Sequence, residues 1–207
     1  DISAEDAKGI GLDYLGTGEA FSSVSVGTIE GAVPCYLVTG KRADGSEVTT
    51  AVARQGGAVV WSENGRALGA ARIDVSAARR AAGDFLANKG LNLRETGWRK
   101  PGAGANRIVF AFVPFTTVRG AETLLYPDTV KVEVALDTGK VVAFDQKPYL
   151  TFHNSPSRKI PSPLVSAATA KAVLKKDLKV LSGPRLAVIP LLPTTEALAW
   201  EFRVQHG

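Results

Sequence analysis

Apolar and polar residues alternate along residues 130–136, where the apolar positions are valines and a leucine. A period of two places these side chains on one face, which predicts a β-strand with one buried side. The turn sequence DTGK follows at 137–140 and leads into a second apolar run at 141–144. The stretch 130–144 is therefore predicted as a β-hairpin.

The same pattern occurs earlier in the chain. Residues 52–60 match residues 134–142 without a gap, at an offset of 82 residues. Ser3 is a predicted N-cap for an amphipathic helix over residues 2–15. The same apolar spacing begins again at Ile73, which lies 71 residues after Ile2. The chain therefore contains a repeated unit of one helix and several strands.

The second unit is longer than the first by 11 residues between helix and hairpin. We assign the additional residues to two loops, at 101–105 and at 115–128. Between these loops, residues 107–114 form a nearly continuous apolar run, which predicts a strand buried on both faces or nearly so.

A third unit begins near residue 165, because residues 165–171 repeat residues 2–8 at an offset of 163. Its closing hairpin does not occur before Gly207. A sheet without its last strands has an unpaired edge, so we expect the strand at 200–204, or the strand beside it, to be able to pair with a second copy and form a dimer.

These patterns define the fold class and the domain organisation. We predict an α+β chain of tandem units, each with one helix packed on a small antiparallel sheet. The predicted boundaries are 1–71 for the first unit, 72–147 for the second, 148–163 for a linker rich in proline and serine, and 164–207 for the incomplete third unit.

Composition indicates a folded protein that does not cross a membrane. Of 207 residues, 45% are hydrophobic and 22% charged, and the apolar runs are far shorter than the ~20 residues that cross a bilayer. The absence of methionine and of a charged-then-apolar leader at Asp1 suggests a chain taken from within a longer precursor, with an anchor or a signal upstream. The net charge of +5 is compatible with membrane headgroups, acidic wall polymer or nucleic acid. Lysine and arginine are spread along the chain without a run of five or more, which favours a solvated basic surface instead.

Residues suited to catalysis are few. Cys35 is the only cysteine, and His153 and His206 are the only histidines, which argues against a disulfide, a metal site and a histidine-activated nucleophile. Four carboxylates lie close in sequence and invite comparison with paired glycosidase acids. They are Asp128, Glu133, Asp137 and Asp145. Turn positions and a polar strand face favour solvated charges instead, so we expect no catalytic residue, no metal and no cofactor.

Four aromatic residues are candidates for binding a partner. Trp98 and Phe115 flank loops, whereas Trp200 and Phe202 lie on the strand that is expected to have an open edge. Exposed aromatic side chains often anchor protein interfaces. The alternative for each of them is local packing.

The chain resembles the YpeB family of spore germination proteins, in the region where PepSY repeats follow one another. Four segments carry the resemblance: GGAVVW with NGR at 56–66, YPDTVKV at 126–132, YL with His153 and RKIP at 149–161, and LAVIP at 186–190. Two features depart from the family, namely Ser62-Glu63 where it tends to be apolar and the missing last hairpin.

The resemblance implies a non-enzymatic, PepSY-like chain without cofactor. It implies a protein held by an upstream helix on the outer face of the spore inner membrane, on the cortex side. There it would stabilise and localise, or restrain, the cortex-lytic enzyme SleB or a similar hydrolase. Nucleic acid is not an expected partner.

Two other classes of function stay open. The first is an envelope hydrolase or a peptidase inhibitor that uses carboxylates of the second unit. The second is a structural module that binds anionic wall polymer through basic residues. These are Arg94, Arg99, Lys100 and Arg107.

Overall fold

Four α-helices and twelve β-strands make up the part of the chain that the computed structural model describes, residues 1–16, 20–153, 158–160, 163–192 and 195–206. The helices are α1 (Ala4–Gly16), α2 (Val75–Asn88), α3 (Lys147–Phe152) and α4 (Ala167–Ala172), and a 3₁₀ turn spans Tyr126–Asp128. The strands are β1 (Ser23–Ile29), β2 (Cys35–Lys41), β3 (Glu47–Ala53), β4 (Val59–Asn64), β5 (Arg94–Arg99), β6 (Arg107–Val113), β7 (Phe115–Val118), β8 (Ala121–Leu125), β9 (Val130–Ala135), β10 (Val141–Asp145), β11 (Leu178–Leu192) and β12 (Thr195–His206).

The first two units share one eight-stranded sheet, in the order β1-β2-β3-β4-β10-β9-β6-β5. Each unit ends in a predicted hairpin, β3–β4 or β9–β10, and the last strands of the two hairpins pair antiparallel with Trp61 opposite Asp145. The α+β class is confirmed. The small sheets of the two units are joined edge to edge into one layer.

Helices α1 and α2 cover one face of this sheet. Ser3 caps α1 as predicted, since its hydroxyl accepts from Asp6 N at 3.1 Å and Asp6 accepts from Ser3 N at 3.1 Å. Asp74 caps α2 by accepting from Ala77 N at 2.7 Å. The apolar stripes of both helices meet the valines and phenylalanines of the sheet in a single core.

The prediction of a loop at 115–128 is wrong. This segment forms the hairpin β7–β8 and the 3₁₀ turn, and β8 pairs in parallel with β11 of the third unit. Local sequence did not reveal the hairpin, because β8 is stabilised by a strand about sixty residues further along the chain. The second predicted loop, at 101–105, lies between strands as expected.

Strand β6 is fully buried on one face and partly buried along most of the other, so the expectation for residues 107–114 holds in part. Ile108, Phe110 and Phe112 face the helices, whereas Val109 and Ala111 are half-buried on the opposite side. The helices cover a single face of the sheet, so Val109 and Ala111 stay partly open to solvent. Val113, on the same side, is buried in a cluster with Leu124 and Ala187 of the smaller sheet.

The third unit joins a second sheet of four strands, in the order β12-β11-β8-β7. Within the described ranges, β12 has one neighbouring strand, so the expected open edge is present, while the dimer stays a prediction. The segment predicted as a linker begins with helix α3, which lies against the 3₁₀ turn and β4. None of the described helices has the length and apolar character needed to span a bilayer.

Candidate functional site

A cross-sheet groove lies between β5, the edge strand of the larger sheet, and the β11–β12 hairpin of the smaller one. Its volume is about 870 Å³, within the range of ligand pockets. The residues that line it include Glu95, Gly97, Trp98, Arg185, Phe202 and Arg203. The groove therefore combines residues from the second and third units.

Two of the four predicted partner-binding aromatics lie in this groove. The side chain of Trp98 is 46% exposed, which is unusual for a large aromatic residue. Phe202 is half-buried on the opposite wall. The fold thus brings together two aromatic residues that are far apart in sequence.

The other two aromatics are engaged within the chain. Phe115 is half-buried, and the guanidinium carbon of Arg94 lies 4.0 Å from the centre of its ring. The indole N–H of Trp200 donates to the carbonyl of Val165 at 2.9 Å. Neither residue lines the cross-sheet groove.

Ion pairs stiffen both walls of the groove. Arg79 of α2 donates through Nε to both carboxylate oxygens of Glu95, at 3.0 and 2.8 Å. Arg185 donates to Glu201 at 2.9 and 2.7 Å. The hydrogen bonds from Arg185 lower the pKa of Glu201, so this carboxylate stays ionised. Sequence reasoning did not single out these residues, since nothing in their local pattern relates α2 to β5 or to the third unit.

The four carboxylates considered as acids do not converge. Asp137 is held by Arg66, whose two terminal nitrogens donate to it at 2.8 and 2.7 Å and lower its pKa. Asp145 accepts from the backbone N of Lys147 at 3.0 Å, where α3 begins. Glu133 lies 2.9 Å from Nη1 of Arg107. Burial raises the pKa of Glu133, which shares a shallow depression of about 280 Å³ with Glu63 and Asp145.

Asp128 is fully buried, so the prediction that it is a solvated turn residue is wrong. Arg158 Nη1 donates to both of its oxygens, at 2.7 and 2.6 Å, and His153 Nδ1 lies 2.8 Å from Oδ2. Arg158 also donates to Glu196 of β12, at 3.1 and 3.0 Å. These residues form an internal clamp between the 3₁₀ turn, α3 and the third unit. An acid enclosed in this way cannot reach a substrate.

The single cysteine shows no sign of reactivity. Cys35 is buried, its thiol donates to the carbonyl of Val33 at 3.0 Å, and burial raises its pKa. His206 lies 3.3 Å from Asp177 at an exposed position. Among the residues with described positions, no group of histidine, cysteine and acidic side chains is arranged to hold a metal ion.

Comparison with known proteins gives a consistent family. Residues 1–161 match the family model described as YpeB sporulation, PepSY1 and PepSY2 domains. The chain is 37% identical to the sporulation protein YpeB of Bacillus subtilis over 93 aligned residues. The aligned region covers 45% of this chain and 19% of that protein. It is 26% identical to the protein of the same name from Halalkalibacterium halodurans over 201 aligned residues. This aligned region covers 97% of this chain and 43% of the relative. The chain thus spans less than half the length of these curated relatives.

The fold is also similar to a solved structure. The C-terminal domain of Bacillus megaterium YpeB superposes with a TM-score of 0.81 at 25% sequence identity. The alignment covers 100% of this chain and 88% of the solved chain.

Proposed function

The chain belongs to the YpeB family of sporulation proteins, and we propose that it acts in germination as a non-catalytic platform that stabilises, localises or restrains a SleB-like cortex-lytic enzyme. The cross-sheet groove is the observation that supports this role. It presents an exposed Trp98 opposite Phe202, with walls stiffened by ion pairs. A rigid groove with aromatic anchors suits binding of a protein partner.

The distribution of acids also supports a role without catalysis. Asp128 and Asp137 are each bound to their own arginine, and Asp128 is inaccessible. Hydrolysis by paired carboxylates requires two acids that face one substrate bond. Asp128 and Asp137 lack that arrangement, whereas Glu133 shares its depression with Glu63 and Asp145.

Binding of purified SleB-like enzyme to the immobilised 207-residue chain tests the proposal directly. We expect saturable binding that weakens about tenfold or more in the Trp98→Ala variant, because loss of an aromatic anchor removes a large contact area. Leu164→Ala serves as the control, since Leu164 is 99% exposed and lies outside the groove. Failure of the folded wild-type chain to bind the enzyme would contradict the proposal.

The proposed location follows from the family rather than from the groove. We propose that the protein acts outside the cytoplasm, at the outer face of the spore inner membrane. Fractionation of spores carrying an epitope-tagged full-length protein tests this, and recovery in the cytoplasmic fraction would contradict it.

An envelope hydrolase is the second candidate, and Glu133 is the residue that favours it. Its pKa is raised by burial, as expected for a general acid, and it borders an open depression. Activity on cortex peptidoglycan that disappears in Glu133→Gln, with the fold intact, would establish this candidate in place of the platform.

A further inference from the structure

Strand β5 offers an unpaired backbone edge inside the cross-sheet groove. It ends the eight-stranded sheet, so within the described residues one side of its backbone has no strand neighbour. Such an edge presents N–H and C=O groups at the spacing of an extended chain. In β5 the regular part is Gly97–Arg99, which follows a β-bulge between Glu95 and Gly97. Strand β1 ends the same sheet at the other side. β5 differs from β1 because it faces the wall of the β11–β12 hairpin.

The middle of β5 is open to an incoming chain. A Cβ atom placed on Gly97 would meet no heavy atom within 4 Å, so the face of the sheet at this residue is open. Trp98 follows directly and provides an exposed aromatic surface. A side chain of an added strand can pack on this ring while its backbone pairs with β5.

The charges of the groove favour an acidic ligand. Three arginines and two glutamates line it, and both glutamates are already paired, with Arg79 and with Arg185. The side chain of the remaining cation, Arg203, makes no ion pair or hydrogen bond with another described residue. The groove therefore has an excess of positive charge at the end of β12.

We propose that the cross-sheet groove binds an extended acidic polypeptide segment, which adds to β5 as a further strand. The segment belongs to the hydrolase of the proposed function, so the inference rests on that function and deepens it. A wall glycan has anionic groups but lacks the regular N–H and C=O pattern that a strand edge recognises. The unpaired backbone of β5 thus favours a polypeptide over wall polymer.

A labelled decapeptide of alternating glutamate and valine is a suitable probe, with binding to the 207-residue chain measured by fluorescence anisotropy. We expect saturable binding to the wild type and at least about tenfold weaker binding to Gly97→Leu, because the new side chain fills the groove. Gly27→Leu is the matched control. Gly27 lies on β1, the opposite edge of the same sheet, and a Cβ atom there also meets nothing within 4 Å. Equal binding by the two variants would overturn the proposal.

Charge and backbone pairing are tested separately. The Arg203→Glu variant should bind the glutamate peptide several-fold more weakly, and a lysine–valine decapeptide should bind the wild type poorly. A glutamate–valine peptide that is N-methylated at alternate residues should lose binding in one of its two possible methylation patterns, because only one edge of the peptide faces β5. Undiminished binding of both methylated peptides, or equal binding of purified wall teichoic acid, would show a general anion surface and exclude strand addition.

The hydrolase experiment separates this inference from the proposed function. If the hydrolase binds the wild type and Gly97→Leu equally well, the groove is not its docking site, although the platform function stands. If the peptide binds in the groove and the hydrolase does not bind at all, strand addition stands and the platform function fails.

Discussion

At the scale of single residues, Asp128 and its neighbours show how a polar cluster joins parts of the chain that are distant in sequence. Asp128 is fully buried, and the side chain of Arg158 is only 9% exposed, so the charge on each compensates the other away from water. Replacing Asp128 leaves Arg158 with Glu196 as its acidic partner, and breaking a buried pair costs more than the pair itself contributes.

We therefore expect Asp128→Asn to lower the free energy of unfolding by about 3 kcal/mol. Glu122→Gln is the control, because Glu122 forms an ion pair with Arg94 in which both side chains are nearly half exposed. Loss of an exposed pair costs less than ~1 kcal/mol. Urea denaturation of both variants measures the difference, and equal midpoints would show that the buried cluster contributes nothing special.

Asp137 makes stability depend on pH. Its hydrogen bonds from Arg66 lower its pKa below the value of 3.8 that it has without partners. The folded state then binds fewer protons than the unfolded state, so the stabilising effect is complete above about pH 4 and is lost as pH falls further, through the lowered pKa. At pH 6 the wild type should have a larger free energy of unfolding than the Asp137→Asn variant. The difference between the two free energies should be smaller at pH 3. A gap that is constant over this range would contradict the assignment.

At the scale of elements, α1 packs unusually close to the sheet at one glycine. A Cβ atom on Gly11 would lie 2.8 Å from Cβ of Val38, closer than two carbon atoms can approach. The residue 71 positions later, in α2, is Ala82, which is fully buried. The repeated unit thus keeps a small residue at the point where its helix touches the sheet.

Gly11→Ala should lower stability by about 1–3 kcal/mol, because the helix must move away from β2. The matched change Gly9→Ala should raise stability by up to about 1 kcal/mol, since Ala favours helix and a Cβ atom on Gly9 meets nothing within 4 Å. Thermal denaturation of the two variants gives the comparison. Shifts of the same sign would show that helix propensity, and not the contact with Val38, decides the outcome.

The elements also show which features of the fold local sequence patterns predict and which they do not. Helices α1 and α2 and the hairpins β3–β4 and β9–β10 were predicted, because capping residues, apolar spacing and turn residues are local signals. The pairing of β8 with β11 and of β4 with β10 was not, since it depends on contacts between distant units. The groove is beyond prediction for the same reason: Trp98 was a candidate, but its position opposite Phe202 results from the arrangement of two sheets.

At the scale of the whole molecule, the first two units share a core as well as a sheet. Tyr14 of α1 contacts Phe85 of α2 and Phe144 of β10, with ring centres 5.9 and 5.6 Å apart. The rings of Phe85 and Phe144 are 5.4 Å apart, so the three aromatics form one group across the unit boundary.

The third unit differs, because six of the most exposed large apolar residues lie there. These are Leu164, Val165, Val173, Leu181, Leu191 and Val204.

Shared packing predicts that the first two units unfold together although their sequences are repeats. Val52 is fully buried on β3, and Val52→Ala should cost about 2 kcal/mol. In native-state hydrogen exchange we expect the slowest amides of β3 and of β9 to lose the same amount of protection, because opening the first unit exposes the β4–β10 edge and separates Tyr14 from its partners. Val132→Ala on β9 should affect both strands in the same way. If each substitution lowers protection only in its own unit, the two repeats are independent domains that happen to lie side by side, and the continuous sheet contributes no cooperativity.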